Sequence, residues 1–152
     1  MDWKEFQWGG SGIEEVVFGF ILGKIPTGSI IIELGAGHVS TPALSEYYNL
    51  ISVEHNEEFV GLYESHYIYA PMKDGWYDRE KLVGIPKNAK LVIIDGSSRE
   101  GILENLDLFG PDVNFLIHDT YREKEIKLGR DLAKKLGREV EFYSNKDYWA
   151  WI

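Results

Sequence analysis

The chain has 152 residues and a net charge of −9, from 16 Lys and Arg against 25 Asp and Glu. Its 44% hydrophobic and 14% aromatic residues suffice for one packed core, and the absence of cysteine excludes disulfides, thiolate nucleophiles and cysteine-held zinc. The acidic balance argues against nucleic acid or an anionic membrane as partner, and no apolar run approaches the ~20 residues that span a bilayer.

The first residues, MDWKEFQW, lack a basic region followed by an apolar core, so no secretory signal is expected and a cytoplasmic protein is. Trp3, Phe6 and Trp8 are candidates for a lid or a partner surface. Ser11 and Glu14 have capping-box spacing, and a helix to about Gly23 should follow. Ile30–Leu34 reads as a buried strand. Thr41-Pro42 should open the next helix, with Thr as N-cap and Pro in the first turn. Leu50–Glu54 is a second strand. Asn56 should cap a helix whose first turn carries Glu57 and Glu58. Tyr67–Ala70 is a third strand, stopped by Pro71. Residues 72–78 read as a polar loop with exposed aromatics.

Leu91–Asp95 is a fourth buried strand. Ser97 and Glu100 form a second capping box, opening a helix to about Phe109. Val113–Ile117 is a fifth strand, ending at His118-Asp119. Thr120 and Glu123 form a third box. The helix behind it aligns Ile126, Gly129, Leu132, Ala133 and Leu136 and stops at Gly137. Seven of the sixteen bases fall between Arg122 and Arg138. They read as a solvated helix face with Glu123–Lys127 and Asp131–Lys135 pairs, or as a basic docking surface. Val140–Tyr143 and Tyr148–Ile152 are the last strands. Trp149 and Trp151 should pack or make oligomer contacts.

Alternating strands and helices imply a parallel α/β sheet with helices on both faces. A four-residue connection cannot make a parallel crossover, so one of the last two strands must run antiparallel.

The strongest constellation is Glu33-Leu-Gly35-Ala36-Gly37-His38-Val39-Ser40, between a buried strand and a helix. Gly35 and Gly37 let the backbone turn tightly beside a ligand. Glu54 lies nineteen residues beyond Gly35, where a carboxylate can accept ribose hydroxyls. Ligands of open α/β sheets bind at the carboxyl ends of strands. Glu33, Glu54, Asp95, His118 and Asp119 all fall at such ends. A dinucleotide site wants a third glycine, and Ser40 stands there. A carboxylate at Glu33 would repel a pyrophosphate and suit a cationic amine.

On these residues the sequence resembles the class I S-adenosylmethionine-dependent methyltransferases. In that family an acid ends the first strand before a glycine-rich loop, as in Glu33-Leu-Gly-Ala-Gly37, and a second acid ends the second strand, as Glu54 does. The closing hairpin matches residues 140–152. The family often has a third glycine where this chain has Val39. The resemblance implies a doubly wound, mostly parallel seven-stranded sheet in the order 3-2-1-4-5-7-6, with strand 7 antiparallel. It implies one methyltransferase-like domain over 1–152, with an N-terminal segment and helix over 1–29 and a Rossmann-like core over 30–152. It places Glu33 near the methionine amino group, Gly35, Ala36 and Gly37 beside the cofactor, Glu54 on the ribose and His55 beside the adenine. Asp95, Gly96 and Ser97 would border cofactor and acceptor. Its metal-dependent O-methyltransferases hold a divalent cation at positions matching Asp95 and Asp119, which implies Mg²⁺ here.

Asp95, His118 and Asp119 are the candidate catalytic cluster. An imidazole titrates near neutrality, so His118 is a candidate base, or else a strand-end histidine bonded to backbone. Asp119 serves the cluster or the start of the following helix. Trp76 and Tyr77 are candidates for stacking on a substrate, or for packing. His38 is a candidate ligand contact, and His66 should be structural. The expected activity is methyl transfer to a small molecule or saccharide at oxygen, in a protein that could be a homo-oligomer. A methyltransferase-like binding module working with a partner is the alternative; an NAD-linked enzyme is disfavoured by Ser40 and Glu33.

Overall fold

Residues 7, 8 and 12–152 are described by the computed structural model. Ser11, Trp3 and Phe6 lie outside them. In chain order the elements are α1 (Glu15–Lys24), β1 (Ile30–Leu34), α2 (Ser40–Tyr47), β2 (Asn49–Glu54) and β3 (His66–Tyr69). There follow β4 (Met72–Lys73), β5 (Trp76–Tyr77), β6 (Leu91–Ile94), β7 (Asn114–His118), α3 (Glu123–Leu136), β8 (Glu141–Tyr143) and β9 (Trp149–Trp151). The main sheet has seven strands in the order β3-β2-β1-β6-β7-β9-β8. Every neighbouring pair is parallel except at β9, which is antiparallel to both β7 and β8. This is the expected order, with the seventh strand of the sheet reversed.

Strands covered on both faces can be apolar throughout. The alternate side chains of β1 accordingly enter two separate cores. Ile31 packs with Val17, Phe18 and Ile21 of α1 and with Ala43 and Leu44 of α2. Ile32 and Leu34 pack on the opposite face with Leu128 and Leu132 of α3 and with Ile102. At the reversed strand, Phe20 sits against Tyr143, Trp149 and Trp151 at centroid distances of 5.0, 5.7 and 5.3 Å. Both tryptophans thus contribute to packing. No helix among the described residues is long and apolar enough to cross a membrane.

Several helix starts differ from expectation. α1 begins at Glu15, since Gly12 has a φ of +113° and Glu14 is the N-cap residue. α2 begins at Ser40, and Thr41 is not its cap. The Thr41 hydroxyl donates to Glu33 Oε1 at 2.6 Å and accepts from Gly37 N at 3.0 Å. Asn56 does cap, accepting from Glu58 N at 3.1 Å, but only a single 3-10 turn, Glu57–Phe59, follows.

Beyond β6, two 3-10 segments, Arg99–Glu104 and Leu106–Leu108, replace the expected helix. Ser98 there has a φ of 52°, and no serine caps the segment. The Arg99 side chain turns inward instead, donating to the carbonyls of Gly96 and His118. Thr120 likewise bonds back to Tyr148 through its backbone, and α3 starts without a side-chain cap. Gly137 ends α3 in the left-handed conformation, as anticipated. On its surface Lys127 pairs with Asp131, and Lys135 with Glu104, instead of the expected partners.

The expected exposed loop at 72–78 is a correction. Residues 72–73 and 76–77 form an antiparallel hairpin, and Trp76 and Tyr77 are both buried. Trp76 lies over Gly101, where an added Cβ would meet its ring at 2.3 Å.

Sheet register brings the loops after β1 and β6 into contact, because Leu34 pairs with Ile94. Gly35 has a φ of +99°, and a Cβ on it would stand 2.5 Å from the Cα of Gly96. Gly61, with a φ of +79°, has no atom within 4 Å of such a Cβ. Gly35→Ala should therefore cost about 3 kcal/mol or more, and Gly61→Ala about 1 kcal/mol. Urea denaturation of the two variants measures the difference; equal losses would mean that the loop contact is slack.

Candidate active site at the carboxyl edge of the sheet

A cleft of about 610 Å³ opens at the carboxyl ends of β1, β2, β6 and β7. That volume is in the ordinary range for small-molecule and cofactor sites. Gly35, Ala36, Gly37, Glu54, His55, Asp95, Gly96, Ser97, His118 and Asp119 all line it. The sequence-derived cluster is thus brought together, with three exceptions. Glu33 is fully buried beneath the loop and outside the cleft lining, as are Trp76 and Tyr77.

Two acids shape the glycine loop from different sides. Register places Ser52 opposite Glu33, and its hydroxyl donates to Glu33 Oε1 at 2.6 Å. The Thr41 hydroxyl links the same oxygen to the amide of Gly37. Burial raises Glu33 to about 7, with the Ser52 and Thr41 hydrogen bonds opposing that rise. Glu54 works from the rim. Its Oε2 accepts from Ala36 N at 3.1 Å, and its Oε1 accepts from the amides of His55 and Asn56 at 2.8 Å each. A carboxylate has about four acceptor positions, so Glu54 retains capacity on the oxygen that holds the loop. His55 is about one-third exposed beside it, with Nδ1 at 3.1 Å from Glu54 Oε1.

Tyr77 approaches the floor from below. A Cβ on Gly96 would meet its hydroxyl at 2.2 Å, and among the described residues that buried hydroxyl has no hydrogen-bond partner. Burial pushes its pKa well above the usual tyrosine value. At one end of the cleft, His38 Nδ1 and the Tyr63 hydroxyl are 2.8 Å apart, and Phe59 and Leu62 complete that wall. His66 is exposed on β3, outside the cleft lining.

The opposite wall is a charge cluster. Ile94 pairs with Ile117, so Asp95 falls beside His118. The turn between β8 and β9 brings Asp147 to the other edge of the ring. His118 Nδ1 lies 2.9 Å from Asp95 Oδ1, and Nε2 lies 2.8 Å from Asp147 Oδ2. Burial pulls the imidazole pKa down, but hydrogen bonds and charge from Asp147 and Asp95 outweigh it and raise the pKa to about 10. His118 is consequently an imidazolium at neutral pH. In that state it donates to both carboxylates and is a poor base. Asp147 is in turn held below the usual carboxylate range by His118, against the opposing effect of its burial.

Arg99 lies at the centre. Its Nη2 is 2.9 Å from Asp119 Oδ2 and 3.3 Å from Asp95 Oδ1. Asp119 adopts a φ of 60°, a left-handed conformation that Asp tolerates better than most residues. Asp95, His118 and Asp119 each offer one atom within 4.8 Å of the others, a spacing open to a divalent cation. The donor set does not fit one, because Arg99 already bridges the two carboxylates and both ring nitrogens of His118 are taken up by Asp95 and Asp147.

Sequence reasoning missed Arg99 and Asp147. Arg99 stands four residues after Asp95, a spacing that signals an ion pair only on a helix. Asp147 lies in a hairpin turn, with no local signal of its long-range partner.

No protein-family model matches the sequence, and no curated protein does. Solved structures do match. The chain is 15% identical to a precorrin-8w decarboxylase from Methanobacterium thermoautotrophicum, with a TM-score of 0.66, covering 97% of this chain and 95% of that one. It is 13% identical to a precorrin-6y C5,15-methyltransferase from Geobacter metallireducens, with a TM-score of 0.65 and coverage of 97% and 92%. With the O-methyltransferase TomG from Streptomyces achromogenes, solved in complex with SAM, the identity is 16% and the TM-score 0.58, with coverage of 92% and 80%. The chain therefore has the class I S-adenosylmethionine-dependent methyltransferase fold.

A raised His118 pKa makes stability fall with rising pH. The unfolded imidazole deprotonates near 6.5 and the folded one near 10, so the contribution is complete below about 6.5 and disappears as pH rises through 10. NMR titration should find the His118 ring protonated at pH 8. Stability measured across this window should decline in the wild type and change less in His118→Gln. Deprotonation of His118 near 6.5 would contradict the assignment.

Proposed function

We propose that the chain is an S-adenosylmethionine-dependent methyltransferase acting on a small molecule or saccharide, at oxygen. One observation carries the reading: in a fold shared with methyltransferases, Gly35–Gly37, Glu54-His55 and Asp95–Ser97 line one cleft at the carboxyl edge. The spare acceptor capacity of Glu54 suits ribose hydroxyls, and His55 flanks the position of the base. The loop 35–37 and the backbone of Gly96 and Ser97 provide walls without bulky side chains. Glu33 shapes that loop from beneath and would not itself touch the cofactor.

The cofactor would supply a methyl group already activated on a sulfonium. The protein then contributes proximity and orientation, together worth up to ~7–11 kcal/mol in well-aligned systems. An oxygen acceptor must also lose a proton. The raised pKa of His118 disfavours it for that step. Asp95 and Asp119 are the carboxylates at the far end of the cleft from Glu54, and either can receive the proton of a bound hydroxyl.

The binding-module reading is favoured by one observation. Both of these carboxylates are already paired with Arg99, which suits a site that holds a ligand without turnover.

Calorimetry with S-adenosylmethionine, S-adenosylhomocysteine and NAD should show saturable binding of the first two only. Glu54→Ala should weaken it by about tenfold or more, the loss expected for hydrogen bonds to a charged acceptor. Binding of NAD alone would overturn the proposal. Cofactor binding with no methyl transfer to any hydroxylated acceptor would select the binding module.

A further inference from the structure

The carboxylates at the ends of β6 and β7 already share a cation. Arg99 is 9% exposed, and its guanidinium is engaged on every side. Nε donates to Gly96 O at 3.0 Å, and Nη1 donates to His118 O at 2.6 Å. Nη2 reaches Asp119 Oδ2 at 2.9 Å and Asp95 at both its backbone carbonyl, 3.2 Å, and Oδ1, 3.3 Å. Glu125 Oε1 lies 3.8 Å from Nη1. A planar guanidinium fits such a fork of acceptors and never loses its charge. His118 Nδ1 faces the same pair of carboxylates, at 2.9 Å from Asp95 and 3.5 Å from Asp119.

We propose that Arg99 is the resident cation of this site, occupying the place between Asp95 and Asp119 that a divalent metal would take, so that the acceptor is positioned without a metal ion. Arg99 is a positioning residue. It sets the directions of two cleft-lining carboxylates that belong to neighbouring strands. Magnesium requires near-octahedral oxygen ligation and keeps several waters. Here it would have to displace a guanidinium that also holds three backbone carbonyls. The claim about the acceptor rests on the function proposed above; the filling of the carboxylates does not.

Mn²⁺ is the probe, followed by the electron paramagnetic resonance of the free ion. Wild type and Arg99→Lys should take up no Mn²⁺ saturably. Arg99→Gln, which removes the charge but keeps a polar side chain, should bind one ion per chain saturably. Saturable uptake by the wild type that is abolished by Asp95→Asn with Asp119→Asn would overturn the proposal. So would a folded Arg99→Gln protein with no gain. Should that variant fail to fold, the wild-type titration decides alone. Titration of the same wild-type sample with S-adenosylhomocysteine separates the two claims. Metal uptake alongside cofactor binding defeats only the resident cation, whereas absent cofactor binding defeats only the proposed function.

Discussion

A guanidinium and an imidazolium sit among four carboxylates, Asp95, Asp119, Glu125 and Asp147, at the edge of the sheet where the cleft opens. Charges removed from water are costly unless each finds a partner and its remaining hydrogen bonds are met. That requirement governs this edge of the molecule. It draws Arg99 inward and prevents an α-helix after β6. It ties the loop after β6 to the end of β7. Through Asp147 it also ties both to the turn before β9. The closing hairpin therefore does more than complete the sheet, since its turn supplies an acid that hydrogen-bonds His118.

The nearer half of the cleft is organised by carboxylates that bind the protein's own amides. Glu33 holds Gly37 through Thr41, and Glu54 holds Ala36 directly. Between them they anchor consecutive residues of the glycine loop from below and from the rim. An acid immediately before such a loop is thus a structural support in this chain. The two halves of the cleft use opposite strategies. One leaves acceptor capacity at Glu54 for a neutral polyol such as ribose, and the other pairs its carboxylates with internal cations.

The strands of the main sheet and the reversed hairpin were legible in the residues, and the strand order followed from the family resemblance. Runs such as Ile30–Leu34 and Leu91–Ile94 admit one reading in an α/β protein, and a four-residue connection forbids a parallel crossover. The convergence of Glu54, Asp95 and His118 followed from strand ends alone. Capping boxes were less informative. Ser97, Thr120 and Thr41 have the right spacing, yet tertiary demands on Arg99, on the Thr120 backbone and on the Thr41 hydroxyl determined where helices begin. The role of His118 was also out of reach. Its near-neutral pKa as a free side chain suggests a base, and the approach of Asp147 from a hairpin turn distant in sequence, together with Asp95, raises it. Trp76 and Tyr77 appeared loop-borne because two-residue strands leave no periodic pattern.

The central claim is that an adenosyl cofactor occupies the cleft between the glycine loop and Gly96. A crystal structure with S-adenosylhomocysteine tests it most directly. The account predicts the ribose hydroxyls on Glu54, the adenine beside His55, and the Arg99 bridge between Asp95 and Asp119 intact. A ligand bound away from Glu54, or a cleft that stays empty at saturating ligand, would contradict it.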